Sequence, residues 1–111
     1  MAGAAAALAE RAGARMLLFE VGGRTYACGI DAVREIIPFR RCTRLPGAPS
    51  FVCGLINLRG TITTVLDLAA RLDVGVVDRV EGSIVLAEHG GKVVGIGVDL
   101  VRDVQPIPPE E

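Results

Sequence analysis

The chain has 111 residues, 12 of them basic and 13 acidic, for a net charge of −1. That length holds one domain with a modest core, and the balanced charge excludes a general polyanion binder while leaving room for a local basic patch. Half the residues are hydrophobic but only four are aromatic, and no apolar run reaches the roughly 18 residues of a membrane span, so small and β-branched side chains must build the core and no membrane insertion is expected.

Residues 1–15, MAGAAAALAERAGAR, are rich in alanine. Their charges come late, at Glu10, Arg11 and Arg15. A signal peptide needs a basic start and a strongly apolar centre, so a flexible or weakly helical tail is expected, with the folded part starting near Met16. Leu17, Phe19 and Val21 then alternate, Gly22-Gly23 turns the chain, and Tyr26, Cys28 and Ile30 alternate on the return. This pattern predicts a β-hairpin. Asp31 is placed to cap a short helix from Ala32 to Ile37, with Val33, Ile36 and Ile37 on its apolar side and Pro38 as its stop. Phe39 to Ser50 is a connection holding Arg40, Arg41 and Arg44 among Pro46, Gly47 and Pro49.

The most regular stretch runs from Gly54 to Leu68. Its even positions read Ile56, Leu58, Ile62, Leu66 and Leu68; its odd positions include Asn57, Arg59, Thr61 and Thr63. Period-two alternation means strand, with one face buried and one wet. The pair Arg59-Gly60 offers a turn, so two strands are expected to fold about it with the even residues inward. Ala69 to Leu72 looks like one helical turn, and 73–82 like a charged loop. Ser83 to Glu88 and Lys92 to Val98 form another hairpin about His89-Gly90-Gly91. The end, Val104 to Glu111, is extended and bound by prolines. A mainly β fold follows, with one barrel around Phe19, Tyr26, Cys28, Ile56, Ile62 and Leu66 and one or two short helices.

The two outer hairpins repeat. Residues 16–38, MLLFEVGGRTYACGIDAVREIIP, align without a gap over 84–106, IVLAEHGGKVVGIGVDLVRDVQP, with nine of 23 positions identical. Glycine turns alone do not explain the shared Asp31/Asp99, Val33/Val101, Arg34/Arg102 and Pro38/Pro106. The first copy is followed by the Gly54–Leu68 hairpin and the second by five residues, which gives one and a half copies of a unit. An incomplete second barrel is expected, with open strand edges that invite self-association.

Chemistry-bearing motifs are scarce. The cysteines, Cys28, Cys42 and Cys53, are odd in number and form no C-x-x-C, which argues against a disulfide framework or a zinc site and fits a reducing cytoplasm. His89 stands alone in a turn. Gly95-Ile96-Gly97 does not open a helix, no phosphate-loop lysine occurs, and Ser50 and Ser83 lack a nucleophile-elbow context. No catalytic residue, metal or cofactor is expected.

In order along the chain, Phe19-x-x-Gly22 with Tyr26, Val33-x-Glu35-Ile36, Arg44, Pro49-x-Phe51-x-x-Gly54, Asn57-Leu58-Arg59-Gly60, Asp67-Leu68 and Val93-Val94-Gly95-Ile96-x-Val98-Asp99 resemble the CheW-like domain of bacterial chemotaxis coupling proteins. The resemblance covers residues 16 to 109. It implies two small SH3-like β-barrels packed together, with the second incomplete because a C-terminal segment usual in the family is missing. Thr63-Thr64 also stands where the family often carries an apolar residue and a proline. The resemblance implies a non-enzymatic adaptor that binds the cytoplasmic tip of a chemoreceptor (a methyl-accepting chemotaxis protein), with kinase coupling weak or lost. Short members occur in systems such as the Frizzy pathway of gliding bacteria.

Further partners implied are a full-length CheW-like protein and the regulatory domain of a histidine kinase. Val33, Gly54 and Arg59 match receptor-contact positions. Glu35, Asn57 and Gly60 join Arg59 as groove-shaping residues. A guanidinium at a tight turn can hold a carboxylate bidentately, and Glu35 is the natural partner; the alternative is two solvated charges of little consequence. A second functional reading is a small β-barrel that binds nucleic acid through the Arg40–Arg44 loop, although only Phe39 offers a stacking surface nearby.

Overall fold

The computed structural model describes residues 15–106; the Ala-rich opening up to Ala14 and the proline-bound end after Pro106 lie outside it. Eight strands form: β1 (Arg15–Val21), β2 (Arg24–Gly29), β3 (Val33–Pro38), β4 (Val52–Leu58), β5 (Thr61–Asp67), β6 (Ser83–His89), β7 (Lys92–Val98) and β8 (Leu100–Pro106). A 3-10 turn at Ile30–Ala32 and a helical turn α1 (Leu68–Arg71) join them. The fold is mainly β. The strands make two sheets, β2-β1-β8 and β3-β6-β7-β5-β4. Every pairing is antiparallel except that of β5 with β7.

The internal repeat is structural. β1, β2 and β3 recur as β6, β7 and β8, and the copies exchange their third strands: β3 pairs with β6, and β8 with β1. The registers match position for position. Glu35 faces Leu86 as Asp103 faces Leu18, and Pro38 faces Ser83 as Pro106 faces Arg15. Both pairings carry a bulge, one at Arg34 and one at Arg102. Each bulged arginine forms an ion pair across to the neighbouring strand, Arg34 with Glu88 and Arg102 with Glu20. These four residues are themselves repeat mates, so the bulge and its ion pair were duplicated together.

Three sequence expectations are corrected. Ala32–Ile37 is not a helix: it is the end of the 3-10 turn followed by β3. Val33, Ile36 and Ile37 are β-branched and lose rotamer freedom in a helix, and pairing with β6 decides the matter. The expected single barrel core is also two clusters. One holds Leu17, Phe19, Val21, Ala69, Val77, Val85 and Val98, with Tyr26 and Cys28 packed against it. The other holds Cys53, Ile56, Val65, Ile84 and Leu86. β6 serves both, Val85 on one side and Ile84 and Leu86 on the other. A strand covered on both faces reads as a continuous apolar run.

The inward face of β5 was also misassigned. Ile62 is 62% exposed, while Thr63, Val65 and Asp67 are buried. A two-residue turn pairs Leu58 with Thr61 and Ile56 with Thr63. Even residues of β4 therefore share a face with odd residues of β5, and the alternation changes parity at the turn.

Asp67 is fully buried and fastens the segment that follows β5. It caps α1 by accepting from the Ala70 N–H at 3.0 Å. Both its oxygens lie 3.2 Å from the Val77 N–H, and Arg79 Nη2 approaches to 3.2 Å. A buried carboxylate is tolerable only when so partnered. Asp99 fastens the same loop at its other side, accepting from the Gly22 N–H at 2.8 Å and the Asp78 N–H at 2.6 Å.

Candidate protein-docking site

The β4–β5 turn projects from one end of the five-stranded sheet. Arg59 takes φ +51° and Gly60 φ +86°, the two left-handed residues that a type I′ hairpin requires. Such turns favour Asn-Gly because a longer side chain is strained at the first position. Here an arginine stands there, and its placement aims the guanidinium across to β3. Nη1 donates to Glu35 Oε1 at 2.7 Å and Nη2 to Glu35 Oε2 at 2.5 Å, a bidentate fork. Asn57 locks the turn from below, its Oδ1 accepting from the Gly60 N–H at 2.8 Å. Arg40 reaches back over the same end and donates to the Asn57 carbonyl at 3.3 Å. The arginine fork is the main reason the Glu35 carboxyl sits below the usual carboxylate range; partial desolvation opposes the shift and the Arg59 charge reinforces it.

Beside this fork lies an open cleft of about 410 Å³ lined by Ile37, Pro38, Phe39, Arg40, Leu58 and Arg59. Its floor is apolar and its two cations are at the rim. Ile36 on β3 and Ile62 on β5 are exposed nearby in the fold, at 40% and 62%. An apolar floor with a charged rim suits protein–protein docking. Cys42 offers no nucleophile: burial first, and then the neighbouring Cys53, push its thiol up to about 12.

The expected site residues do not all converge here. Glu35, Asn57, Arg59 and Gly60 form one hydrogen-bonded unit. Val33 lies on the other side of the Arg34 bulge and packs against the first core cluster. Gly54 is buried in β4 at φ +146°, where an added Cβ would lie 2.3 Å from the Thr43 carbonyl oxygen. Its role there is to let Thr43 approach and pair with Leu55. Arg40, exposed, belongs to the fork end through its bond to the Asn57 carbonyl.

Sequence reasoning missed the Asp67–Arg79 pair and the Asp99 tie. Asp67 could have been found as the cap of the predicted helical turn. Arg79 left no sequence signal.

Residues 15–111 match the family model of the CheW-like domain. The chain is 37% identical over 105 residues to the chemotaxis protein CheW of Rhizobium meliloti (strain 1021), covering 86% of this chain and 68% of that protein. It is 36% identical over 95 residues to the chemotaxis protein CheW of Bacillus subtilis (strain 168), covering 85% and 61%. Among solved structures it is similar to the scaffolding protein TtCheW from Thermoanaerobacter tengcongensis, with a TM-score of 0.81 and 31% identity over 88% of this chain and 64% of that one. The chain thus spans between three fifths and just over two thirds of the length of these relatives, and nothing in the comparisons supports a nucleic-acid binder. Family model, relatives and fold agree, and the chain belongs to the CheW-like domain family.

Proposed function

We propose that this chain is a non-enzymatic, cytoplasmic, chemotaxis-type signalling adaptor that binds the cytoplasmic tip of a chemoreceptor through the Glu35–Arg59 end of its five-stranded sheet. The observation that carries the reading is the family match over residues 15–111, together with the likeness to a scaffolding protein. The site supports it chemically. Ile37, Pro38 and Leu58 offer an apolar floor, and the Glu35–Arg59 fork holds the rim in one geometry without loose side chains to order. Val33 is a proposed direct contact; Gly54 acts through the backbone by letting Thr43 close against β4. Kinase coupling by these 111 residues is proposed to be weak. The β2-β1-β8 sheet has, among the described residues, no hairpin packed on it as β4–β5 packs on β7, so one half of the repeat presents a different surface. A full-length CheW-like protein or a histidine kinase regulatory domain is the further proposed partner.

Co-sedimentation with a receptor cytoplasmic fragment tests the reading. The wild-type chain is expected to pellet with the fragment, and Arg59→Ala and Glu35→Ala each to reduce binding, with less than additive loss in the double variant because they remove one shared fork. Strict additivity, or equal binding by all four proteins, would reject the fork as part of the site.

A further inference from the structure

The connection from β3 to β4 carries cations that the fork does not use. Arg41 and Arg44 are exposed and form no ion pair among the described residues. Arg79, from the loop before β6, comes to the same region and is held in place there. Its Nη2 lies 3.2 Å from Oδ2 of the buried Asp67, and its Cζ sits 5.8 Å from the Phe39 ring centroid. Phe39 is fixed in turn. Its N–H donates to the Gly82 carbonyl at 3.0 Å, and its ring fills the space a side chain at position 97 would take, since a Cβ on Gly97 would lie 2.9 Å from Cε2. A guanidinium has several N–H donors, and Asp67 engages one nitrogen of a side chain that is 50% exposed.

Two clefts share Arg79 as a wall. One, of about 350 Å³, is lined by Phe39, Arg41, Cys42 and Arg79. The other, of about 130 Å³, includes Arg44, Leu45, Pro49 and Val52. No carboxylate lines either cleft. Asp78, next to Arg79, is turned to the Val80 and Glu81 N–H groups. Three arginines thus gather around one buried carboxylate on a chain whose net charge is −1. Both clefts lie on the β3–β4 connection, in the half of the repeat whose β4–β5 hairpin is in place. Nucleic acid is disfavoured as the occupant. The nearby rings of Phe39 and Phe51 are each capped by an arginine, Arg79 and Arg71, which takes the stacking platform a base would use.

We propose that the two clefts around Arg79 dock an extended acidic segment of a partner protein. One carboxylate enters between Arg41 and Arg79, a second meets Arg44, and an aliphatic side chain beside the second acid covers Leu45 and Val52. Arg41 and Arg44 line different clefts, so a segment bearing two acids satisfies both where one small anion meets only one. Their Cα atoms, three residues apart, are separated by at most about 10 Å, which matches acids at i and i+3 of an extended chain. Guanidinium–carboxylate bonds are charge-assisted, and Arg79, already held by Asp67 and Phe39, costs little to order on binding. The proposal rests on the charge and shape of these clefts and not on receptor binding at the fork, so either can fail alone.

The probe is the end-blocked peptide Ser-Glu-Leu-Pro-Glu-Leu-Ser, titrated into the isotope-labelled 111-residue chain. Saturable 1:1 shifts are expected, largest at the Phe39, Arg41 and Cys42 amides, the Arg79 Nε–H and the Leu45 methyls. Arg41→Ala and Arg44→Ala, both exposed, should each weaken binding about threefold to fivefold, the weight of an exposed charge pair. Arg41→Glu should abolish it, and the peptide with glutamine in place of both glutamates should not bind. Four results would overturn the proposal. One is the absence of saturable shifts up to roughly 10 mM peptide, far above a useful affinity. Another is a set of shifts centred on Glu35 and Arg59. The third is equal binding by the glutamine peptide. The last is a short oligothymidylate or free glutamate that matches the peptide in affinity at the same residues, which would mean a general anion patch.

Discussion

Gly54→Ala separates a backbone role from a contact role at a position the family resemblance ties to receptor binding. The added Cβ would lie 2.3 Å from the Thr43 carbonyl oxygen and 2.8 Å from its carbon, well inside contact distance and against backbone that cannot rotate away. The residue must also hold φ +146°, a conformation that costs a residue with a side chain of order 1–3 kcal/mol. Relief comes by pushing Thr43 off β4, which breaks its two 2.8 Å hydrogen bonds with Leu55 at about 1 kcal/mol each. Together the loss is about 3–5 kcal/mol. With a urea slope of about 1–1.5 kcal/mol per M for a chain of this size, the unfolding midpoint should fall by roughly 3 M. Native-state hydrogen exchange should show the Thr43 and Leu55 amides losing protection before the β6 amides do. A midpoint within 0.3 M (about 0.4 kcal/mol) of wild type, with both amides still protected, would refute the reasoning and return Gly54 to a surface-contact role.

The remaining predictions concern other fixed points of the fold. Asp67→Ala should cost about 2–4 kcal/mol, as a lost cap plus a buried Val77 N–H without an acceptor, and Asp67→Asn clearly less; equal losses in urea unfolding would contradict the assigned bonds. Glu35 has a folded pKa below its unfolded value, so its contribution to stability is full above the ordinary carboxylate range and is lost as pH falls through the folded pKa. Following the Glu35 carboxyl by NMR should show its titration midpoint move up in Arg59→Ala; an unmoved midpoint would mean the fork does not hold in solution. Cys42, pushed up to about 12, should resist iodoacetamide at pH 8 in the native chain, with a thiolate fraction on the order of 10⁻⁴. Rapid native alkylation there would show that the thiol is not held as described.

Much of the fold could be read from local signals. The glycine-turned hairpins, the Leu68–Arg71 helical turn and the repeat were all visible, because each depends on nearby residues. The parity of β5 was not: Ile62 and Thr63 exchange faces through the arithmetic of a two-residue turn, which an even-odd count carried straight across it obscures. β3 was misread because a helix and a bulged strand can show the same spacing of Val33, Ile36 and Ile37. The repeat held the correction, since Val101-Arg102-Asp103-Val104 aligns with Val33-Arg34-Glu35-Ile36, next to an end that already read as extended. In the candidate site, Glu35, Arg59, Asn57 and Gly60 were named from motif and chemistry. Arg40 joining them depends on how a 13-residue connection (39–51) crosses the barrel end, and no short-range pattern encodes that path. The pairing of β5 with β7 is likewise non-local.

The central claim is that the Glu35–Arg59 fork end of the five-stranded sheet meets a chemoreceptor. The direct test is to titrate the isotope-labelled 111-residue chain with a trimer-forming chemoreceptor cytoplasmic fragment and map the perturbed residues. The account predicts saturable binding with the largest changes at Glu35, Ile37, Arg40, Leu58 and Arg59, and smaller ones at Val33. Binding centred elsewhere, or none up to the highest concentration at which the fragment stays in solution, would contradict it.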